Sequence, residues 1–271
     1  MWNEAPAIMS YETIDYDVRD SVAWITFNRP DRFNAMNPVM LRELCDVAIR
    51  CSGDKGVRAA VLTGAGDQAF CAGGDVSEFA KRLDDVDLLV KEMTTYLHAA
   101  VSRFAWMPAP LIGAVNGVAA GAGLSAVAFC DLVIASEAAT FTSAYTQIGL
   151  TPDGSSTYFL NRILGPRRTM ELYLTNRVLS AREALDWGLV NKVVGTGQLI
   201  DEAGALATSL AAGPTRAFGG VKKLLQSTAT ESLETQMERE TRVIAEMATS
   251  ADGQEGIRAF TDKRKPTFTG R

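Results

Sequence analysis

Two glycine-rich loops constrain the fold of this 271-residue chain more than any other feature of its sequence. The first is TGAGDQAFCAGGD (63–75) and the second is NGVAAGAGLSA (116–126), and each follows a run of β-forming residues. Glycine lets a ligand or a neighbouring segment approach the backbone closely. The second loop opens a predicted helix at 124–130, whose N-terminus carries positive partial charge. Two N–H groups converging from these loops would form an oxyanion hole, and tight packing alone is the structural alternative.

The pattern around these loops predicts an α/β fold. Residues 11–28 are rich in β-formers with a polar break at Arg19-Asp20, which predicts a hairpin. Asn37 and Pro38 are typical of a helix start, as N-cap and first-turn residue. Three further runs predict buried strands: 57–63, 111–115 and 131–136.

The second half of the chain changes character. Ser180 and Glu183 form the capping-box pattern of a short helix that should end near Gly188. From about residue 200 onward, helical spacing dominates and no strand is predicted. We therefore expect an α/β core over residues 1–195 and a helical region over residues 196–271.

Each glycine-rich loop also contains a G-x-G-x-x-A string, at 64–69 and 121–126. Such a string occurs in dinucleotide-binding loops, so a nicotinamide-dependent oxidoreductase is one alternative. In the first string, however, Asp67 would face the phosphates, and the string leads into another loop instead of a helix. After the second string, the next predicted strand (131–136) is followed by Glu137. This acid comes much sooner in the chain than the acid that binds the ribose in dinucleotide-binding folds.

Composition narrows the classes of function. The net charge is −5 and no basic face stands out, which predicts no nucleic-acid partner. The apolar stretch 108–129 contains Asn116 and Ser125 and is typical of a buried core, so no membrane association is expected. No signal-peptide pattern opens the chain, and we expect a cytoplasmic protein with reduced cysteines. With four dispersed cysteines and His98 as the one histidine, no metal site is predicted.

The chain resembles the enoyl-CoA hydratase/isomerase, or crotonase, superfamily over nearly its whole length. The resemblance is carried by ordered motifs: ITFNRPDRFNAMN (25–37), AFCAGGD (69–75), PLIGAVNGVAAGAGLSAV (110–127), CDLVIASEAATF (130–141), IGLTPDGSSTYFLNRILG (148–165), LSAREALDWGLVNKVV (179–194) and FTDKRKPTF (260–268). It implies a core built as a spiral of ββα turns, followed by a helical trimerisation region. It also implies a homotrimer, or a hexamer formed by two trimers.

The resemblance implies an acyl-CoA thioester substrate and no separate cofactor, because coenzyme A is part of the substrate. By this resemblance, the oxyanion-hole donors of the family correspond to the N–H groups of Gly74 and Ala122. The family usually has glycine at the position of Ala122. Asp75 is expected to order the loop. The implied contacts to coenzyme A fall on Arg32, Phe33, Ala35, Ala72, Asp75 and Val76. Phe260 and Lys263 resemble residues that reach the coenzyme A of a neighbouring subunit.

The chain departs from the pattern of true hydratases. The two glutamates that activate water in hydratases fall on Ser125 and Tyr145. Without those carboxylates, no pair of acidic and basic side chains is evident that could activate water. Tyr145 is instead expected to form a wall of the acyl pocket, and hydratase activity is a less favoured alternative.

Asp153, in the turn Pro152-Asp153-Gly154, matches the single catalytic carboxylate of the family's enoyl-CoA isomerases. It also matches the nucleophile of 4-chlorobenzoyl-CoA dehalogenase, in which His98 would fall at the catalytic base. His98 either points into the pocket or is a satisfied core histidine. We therefore expect conversion of 3-enoyl-CoA to 2-enoyl-CoA through Asp153. Dehalogenation and a coenzyme A-binding protein without catalysis are the alternatives.

Overall fold

The computed structural model describes residues 11–271, so the first ten residues of the predicted core lie outside the described part. Ten strands form two sheets: β1 (Ile14–Arg19), β2 (Val22–Phe27), β3 (Ala59–Gly64), β4 (Ala69–Cys71), β5 (Leu111–Val115), β6 (Val118–Ala120), β7 (Leu132–Ser136), β8 (Thr140–Thr142), β9 (Leu179–Ser180) and β10 (Lys192–Val194). The α-helices are α1 (Pro38–Gly53), α2 (Val76–Ala80), α3 (Val86–Trp106), α4 (Ala122–Phe129), α5 (Ser156–Thr175), α6 (Ala181–Trp187), α7 (Leu199–Ala211), α8 (Thr215–Ser227), α9 (Leu233–Thr249) and α10 (Ala251–Thr261).

The two sheets are built by a repeating ββα turn. The larger sheet has the order β1-β2-β3-β5-β7-β10, and the smaller one has the order β4-β6-β8-β9. The chain places β3, β5 and β7 side by side in the larger sheet, and each is followed by one strand of the smaller sheet. The strands β3, β5 and β7 are parallel to one another, and so are β4, β6 and β8. Parallel strands need a crossover connection between one ββ unit and the next. A helix makes each crossover, so successive glycine-rich loops are brought to one side of the molecule.

The core lies on both faces of the larger sheet. One face packs against α1 and α3, and the other is covered by α7 through Leu199, Ala203, Ala207 and Ala211. The first helix of the predicted helical region thus belongs to the packing of the sheet, while α9 has no buried residue. The boundary at residue 195 stays a prediction. Over residues 11–271, no helix combines the length and the apolar character needed to cross a membrane.

Local sequence signals agree with the observed element ends. The predicted hairpin is formed by β1 and β2, and Asn37 caps α1 by accepting a hydrogen bond from the Met40 N–H at 2.9 Å. The Ser180–Glu183 capping box opens α6, which ends at Gly188. Past residue 199 the described chain forms no strand, as predicted. The helix expected at 124–130 instead begins at Ala122, because Gly121 adopts a left-handed φ of 53° immediately before it.

Candidate active site

The two glycine-rich loops are in direct contact. Gly73 has φ +98° and Gly121 has φ +53°, both in the region that side chains disfavour. A Cβ atom on Gly73 would lie 2.9 Å from the Ala120 carbonyl oxygen and 3.3 Å from the Ala122 nitrogen. The backbones can therefore meet only because no side chain stands between them. This contact brings Gly74 and Ala122 to the same part of the molecule.

Within residues 11–271, the N–H groups of Gly74 and Ala122 have no backbone partner, for separate reasons. Met36 pairs with the segment around Gly74, donating to the Gly73 carbonyl at 2.7 Å and accepting from the Asp75 N–H at 2.8 Å. In such a parallel pairing the N–H of the central residue points to the opposite side. Ala122 is the first residue of α4, where an N–H has no partner within the helix. Both residues line one cavity, so the predicted donors are brought together.

This cavity, which we call the acyl cavity, has a volume of about 310 Å³. Its walls are mainly aliphatic and aromatic, and Asp153 is the one carboxylate among its lining residues. They are Met36, Leu41, Ala72, Gly73, Gly74, Val76, Phe79, Val90, Met93, Thr94, Leu97, Gly121, Ala122, Ala144, Tyr145, Gln147, Ile148, Leu150, Thr151 and Asp153. A carboxylate and two N–H donors in apolar surroundings can move a proton next to a carbonyl whose oxygen becomes negative.

Asp153 is held by its backbone as well as by its side chain. Its main-chain carbonyl accepts hydrogen bonds from the hydroxyls of Ser125 at 3.0 Å and Ser156 at 2.9 Å. Gly154 follows with φ +59°, which completes the predicted turn. The Tyr145 hydroxyl donates to Asp153 Oδ1 at 2.6 Å. The turn therefore presents the carboxylate to the cavity from a fixed position.

The side chains of Ser125 and Tyr145 are in contact. By the family resemblance, these are the two positions that hold glutamates in hydratases. Their hydroxyl oxygens lie 3.0 Å apart, and Ser125 is fully buried. Burial, reinforced by the negative charge of Asp153, raises the pKa of the Tyr145 phenol. Tyr145 does line the cavity, as expected, but its hydrogen bond to Asp153 was not predicted. The two residues are eight positions apart in the chain, and no periodic pattern in the sequence connects them.

His98 lies in neither of its two expected places. Its side chain is exposed on α3, it is absent from the lining of the acyl cavity, and it is no core residue. It lines a separate groove together with Trp106, Pro152, Asp153 and Tyr158. His98 faces outward on α3 next to the buried Leu97, and its expected catalytic role stays a prediction.

Of the residues expected to contact coenzyme A within one subunit, Ala72 and Val76 line the acyl cavity. The Ala72 N–H donates to the Phe33 carbonyl at 3.0 Å, which joins the two segments. Phe33 and Val76 are about half exposed, at 51% and 49%. Arg32 is exposed, and Ala35 is half-buried beside Phe33. Their expected contact with coenzyme A stays a prediction.

Asp75 connects two segments next to the loop that carries Gly74. Its Oδ2 lies 3.0 Å from Arg29 Nη1, and its Oδ1 caps α2 by accepting from Ser77. Burial raises the pKa of this carboxyl, but the hydrogen bonds from Ser77 and Arg29 outweigh burial and hold it below its usual range. Asp75 is therefore a charged clamp of the loop that carries Gly74.

Phe260 and Lys263 are not brought to the acyl cavity of their own chain. Phe260 is 88% exposed on α10, and Lys263 follows the end of that helix with φ +54°. Their expected contact with a neighbouring subunit stays a prediction. Within residues 11–271, no group of three or more histidine, cysteine, aspartate or glutamate side chains could hold a metal ion.

The fold and the site together define a protein that can bind a carbonyl compound and stabilise negative charge on its oxygen. The family model described as enoyl-CoA hydratase/isomerase matches residues 17–271. The chain belongs to this family and is one of its acyl-CoA-processing enzymes. The expected α/β spiral with helical C-terminal elements is confirmed. An enoyl-CoA hydratase structure from Bacillus anthracis has a TM-score of 0.90, with 30% identity over 96% of this chain and all of that chain.

Several curated relatives are similar over most of their length. A Rhodobacter capsulatus protein named "Probable enoyl-CoA hydratase" is 39% identical over 97% of this chain and all of its own length. The 1,2-epoxyphenylacetyl-CoA isomerase of Escherichia coli is 38% identical over 94% of this chain and 97% of its own. The 4-chlorobenzoyl coenzyme A dehalogenase-2 of an Arthrobacter species is 38% identical over 84% of this chain and 82% of its own. The relatives thus span three reactions, and the choice among them depends on the site.

Proposed function

We propose that the protein converts 3-enoyl-CoA into 2-enoyl-CoA, with Asp153 as the proton-transferring group. The observation that carries this proposal is one cavity lined by a single carboxylate and by the N–H groups of Gly74 and Ala122. The carbonyl oxygen of the thioester would lie between the two donors. The carbon next to it would then face Asp153.

The reaction needs one carboxylate only. Asp153 removes a proton from C2, and the negative charge spreads onto the thioester oxygen. The N–H groups of Gly74 and Ala122 stabilise that oxygen, each by about 3–4 kcal/mol in the transition state. The protonated Asp153 then returns the proton at C4 on the same face. Proton transfer by a positioned group adds roughly 10²–10⁴-fold to the rate.

Hydration of 2-enoyl-CoA is less well supported by the same cavity. Addition of water requires one group to activate the water and one to supply the proton. The two expected glutamate positions hold Ser125 and Tyr145, whose hydroxyls contact each other and Asp153. A single carboxylate with its neighbours already in hydrogen bonds fits proton transfer better than addition of water.

Dehalogenation is the second candidate, because two relatives are named as dehalogenases. Asp153 would attack the ring as a nucleophile, and His98 would activate the water that releases the product. The exposed His98 is absent from the lining of the acyl cavity, and it lies in a separate groove that also reaches Asp153. Replacement of His98 by alanine should therefore leave isomerisation nearly unchanged, whereas dehalogenation would collapse.

The deciding experiment offers the purified protein 3-enoyl-CoA, 2-enoyl-CoA and 4-chlorobenzoyl-CoA in parallel. We would follow conjugated-thioester absorbance and chloride release for the wild type, Asp153→Asn and the control Asp67→Asn. Asp67 is an exposed aspartate of the first glycine-rich loop, outside the cavity. We expect isomerisation that is lost in Asp153→Asn and retained in Asp67→Asn.

Each other outcome identifies one alternative. Chloride release that depends on His98 would replace the proposal by dehalogenation. Hydration that survives in Asp153→Asn would show that Asp153 is a turn residue. Saturable binding of the thioesters with no turnover of any of them would leave a coenzyme A-binding protein without catalysis.

A further inference from the structure

The acyl cavity contains a hydrogen bond that the proposed reaction does not yet use. The phenol of Tyr145 lies 2.6 Å from Oδ1 of Asp153 and 3.0 Å from Oγ of Ser125. Ser125 is completely buried, and its hydroxyl also reaches the Asp153 carbonyl at 3.0 Å. The three groups form a closed cluster at the wall of the cavity, which we call the Tyr145 cluster.

The direction of the hydrogen bond from Tyr145 follows from charge. Burial first, and then the neighbouring carboxylate, raise the pKa of this phenol, so it keeps its proton at neutral pH. An ionised carboxylate has no proton to give and acts only as an acceptor. Tyr145 is therefore the donor and Oδ1 of Asp153 is the acceptor. A hydrogen bond to a charged group at this short distance is among the stronger ones in proteins.

We infer that Tyr145 is a positioning residue that holds Oδ1 of Asp153, so that Oδ2 alone takes the proton from C2 and returns it to C4. This inference rests on the proposed isomerisation. In the first step the C2–H bond breaks, its electrons form the C1–C2 double bond, and the carbonyl electrons move to oxygen. In the second step the O–H bond at Oδ2 breaks, a C4–H bond forms, and the double bond moves to C2–C3. The thioester carbonyl is restored, and Tyr145 keeps its proton throughout.

The same contact restricts the reactions that the cavity can perform. The phenolic proton points at Oδ1 and is not directed at the substrate. The Ser125 hydroxyl is engaged with the Asp153 carbonyl and the phenol oxygen. Asp153 then remains as the one carboxylate of the cavity lining that can exchange a proton with the substrate, and a double-bond shift on one face needs only that group, whereas no second carboxylate is present to activate water. The Tyr145 cluster thus selects proton shuttling over hydration.

The kinetic test compares Tyr145→Phe with the wild type and with Tyr11→Phe. Tyr11 makes the matching hydrogen bond to Asp46 far from the acyl cavity, so its replacement removes the same group elsewhere. We expect kcat for 3-enoyl-CoA isomerisation to fall about 10- to 100-fold in Tyr145→Phe, because a misplaced catalytic group costs rates of this order. KM should stay close to the wild-type value, since the coenzyme A contacts are untouched. Tyr11→Phe should keep both constants.

A spectroscopic measurement tests the hydrogen bond without any turnover. The wild type should show a downfield phenolic proton resonance that is lost in Tyr145→Phe and shifted in Asp153→Asn. Tyr11→Phe should leave this resonance in place. Absence of the resonance from the wild type, or its persistence in Tyr145→Phe, would overturn the inference.

The kinetic outcomes separate this inference from the proposed function. If the wild type isomerises 3-enoyl-CoA, Asp153→Asn does not, and Tyr145→Phe keeps its kcat, only the role of Tyr145 is overturned. If KM rises in step with the fall of kcat, Tyr145 has a structural role and the inference also fails. If the wild type does not isomerise the substrate, or Asp153→Asn retains the activity, the proposed function fails and the inference fails with it.

Discussion

Gly73 shows how one backbone position can decide the geometry of a site. Its φ is +98°, and a Cβ atom at this position would lie only 2.9 Å from the Ala120 carbonyl oxygen, so there is no room for a side chain. We expect Gly73→Ala to push the two loops apart and to lower kcat by about 100-fold, through loss of one oxyanion-hole donor. Steady-state kinetics on the proposed substrate, 3-enoyl-CoA, would measure this effect.

Gly53→Ala is the matched control for that substitution, because nothing lies within 4 Å of a Cβ atom added there. It should leave kcat unchanged, and it should not destabilise the fold. Wild-type kcat in Gly73→Ala would show that contact between the loops is not needed for catalysis.

Asp75 offers a test of the loop clamp through pH. Its pKa lies below the ordinary value of about 4, so its charged form stabilises the fold above that pH. This contribution is lost as the pH falls through the lowered value in the folded protein. Asp75→Asn should lower the free energy of unfolding by about 1–3 kcal/mol at neutral pH, because it removes the counter-charge of Arg29 and leaves only the hydrogen bond to the Ala35 carbonyl. The difference from the wild type should shrink below about pH 4.

Urea unfolding at neutral and acidic pH would measure this dependence. Asp31→Asn is the control, since its carboxylate lies 3.8 Å from Arg32 at an exposed position. We expect no measurable change in this variant, as is usual for exposed pairs. A loss in Asp75→Asn that stayed constant down to low pH would contradict the clamp.

At the scale of elements, α8 is fixed to the core by a buried cation. Lys222 Nζ lies 2.7 Å from Asp131 Oδ2 and donates to the carbonyls of Phe104 at 2.9 Å and Ala109 at 3.3 Å. Asp131→Asn would leave the ammonium buried without its counter-charge, at a cost of about 3–5 kcal/mol. We expect amide exchange in α8 to accelerate before exchange in the sheet does.

Asp186→Asn serves as the control for α8, because that carboxylate pairs with Arg182 on the surface at 3.3 Å. Amide exchange in α8 should be unchanged in this variant. Uniform acceleration over the whole chain in Asp131→Asn would show that the pair stabilises the core and does not specifically hold the helix.

The sequence predicted correctly those helix ends that depend on interactions between residues close together in the chain. Asn37 caps α1 by its own side chain, and Ser180 with Glu183 forms a capping box within four residues. Contacts between distant segments carry no such signal. The start of α4 depends on how Gly121 meets Gly73, and the hydrogen bond of Tyr145 to Asp153 depends on the turn that follows β8. The family resemblance supplied Gly74, Ala122 and Asp153, which periodicity alone would not have selected.

At the scale of the whole molecule, the C-terminal helices expose apolar side chains that are not buried against any other described part of the same chain. Leu233, Met237 and Ile244 of α9 are 69%, 49% and 71% exposed, and no residue of α9 is buried. Apolar side chains clustered in this way mark an interface. We propose that α9 and α10 join subunits in a homotrimer, or in a hexamer of two trimers, as the resemblance implies.

Replacement of Ile244 by arginine should therefore lower the mass in solution toward that of one chain. Light scattering or sedimentation would measure it, with Glu240→Arg as the control on an exposed polar position of the same helix. An unchanged mass in Ile244→Arg, or a single-chain mass in the wild type, would contradict an interface built on α9.

Assembly would matter to the reaction if Phe260 and Lys263 complete the coenzyme A site of a neighbour. Neither residue lines the acyl cavity of its own chain, and Phe260 is 88% exposed. A Phe260→Ser/Lys263→Glu variant should then raise KM strongly without changing the oligomeric mass. Mixing this variant with Asp153→Asn by unfolding and refolding should restore part of the activity, because some sites combine an intact core with an intact neighbouring tail. Mixtures no more active than their components would show that each chain binds coenzyme A alone, and the exposed Phe260 would then need another partner.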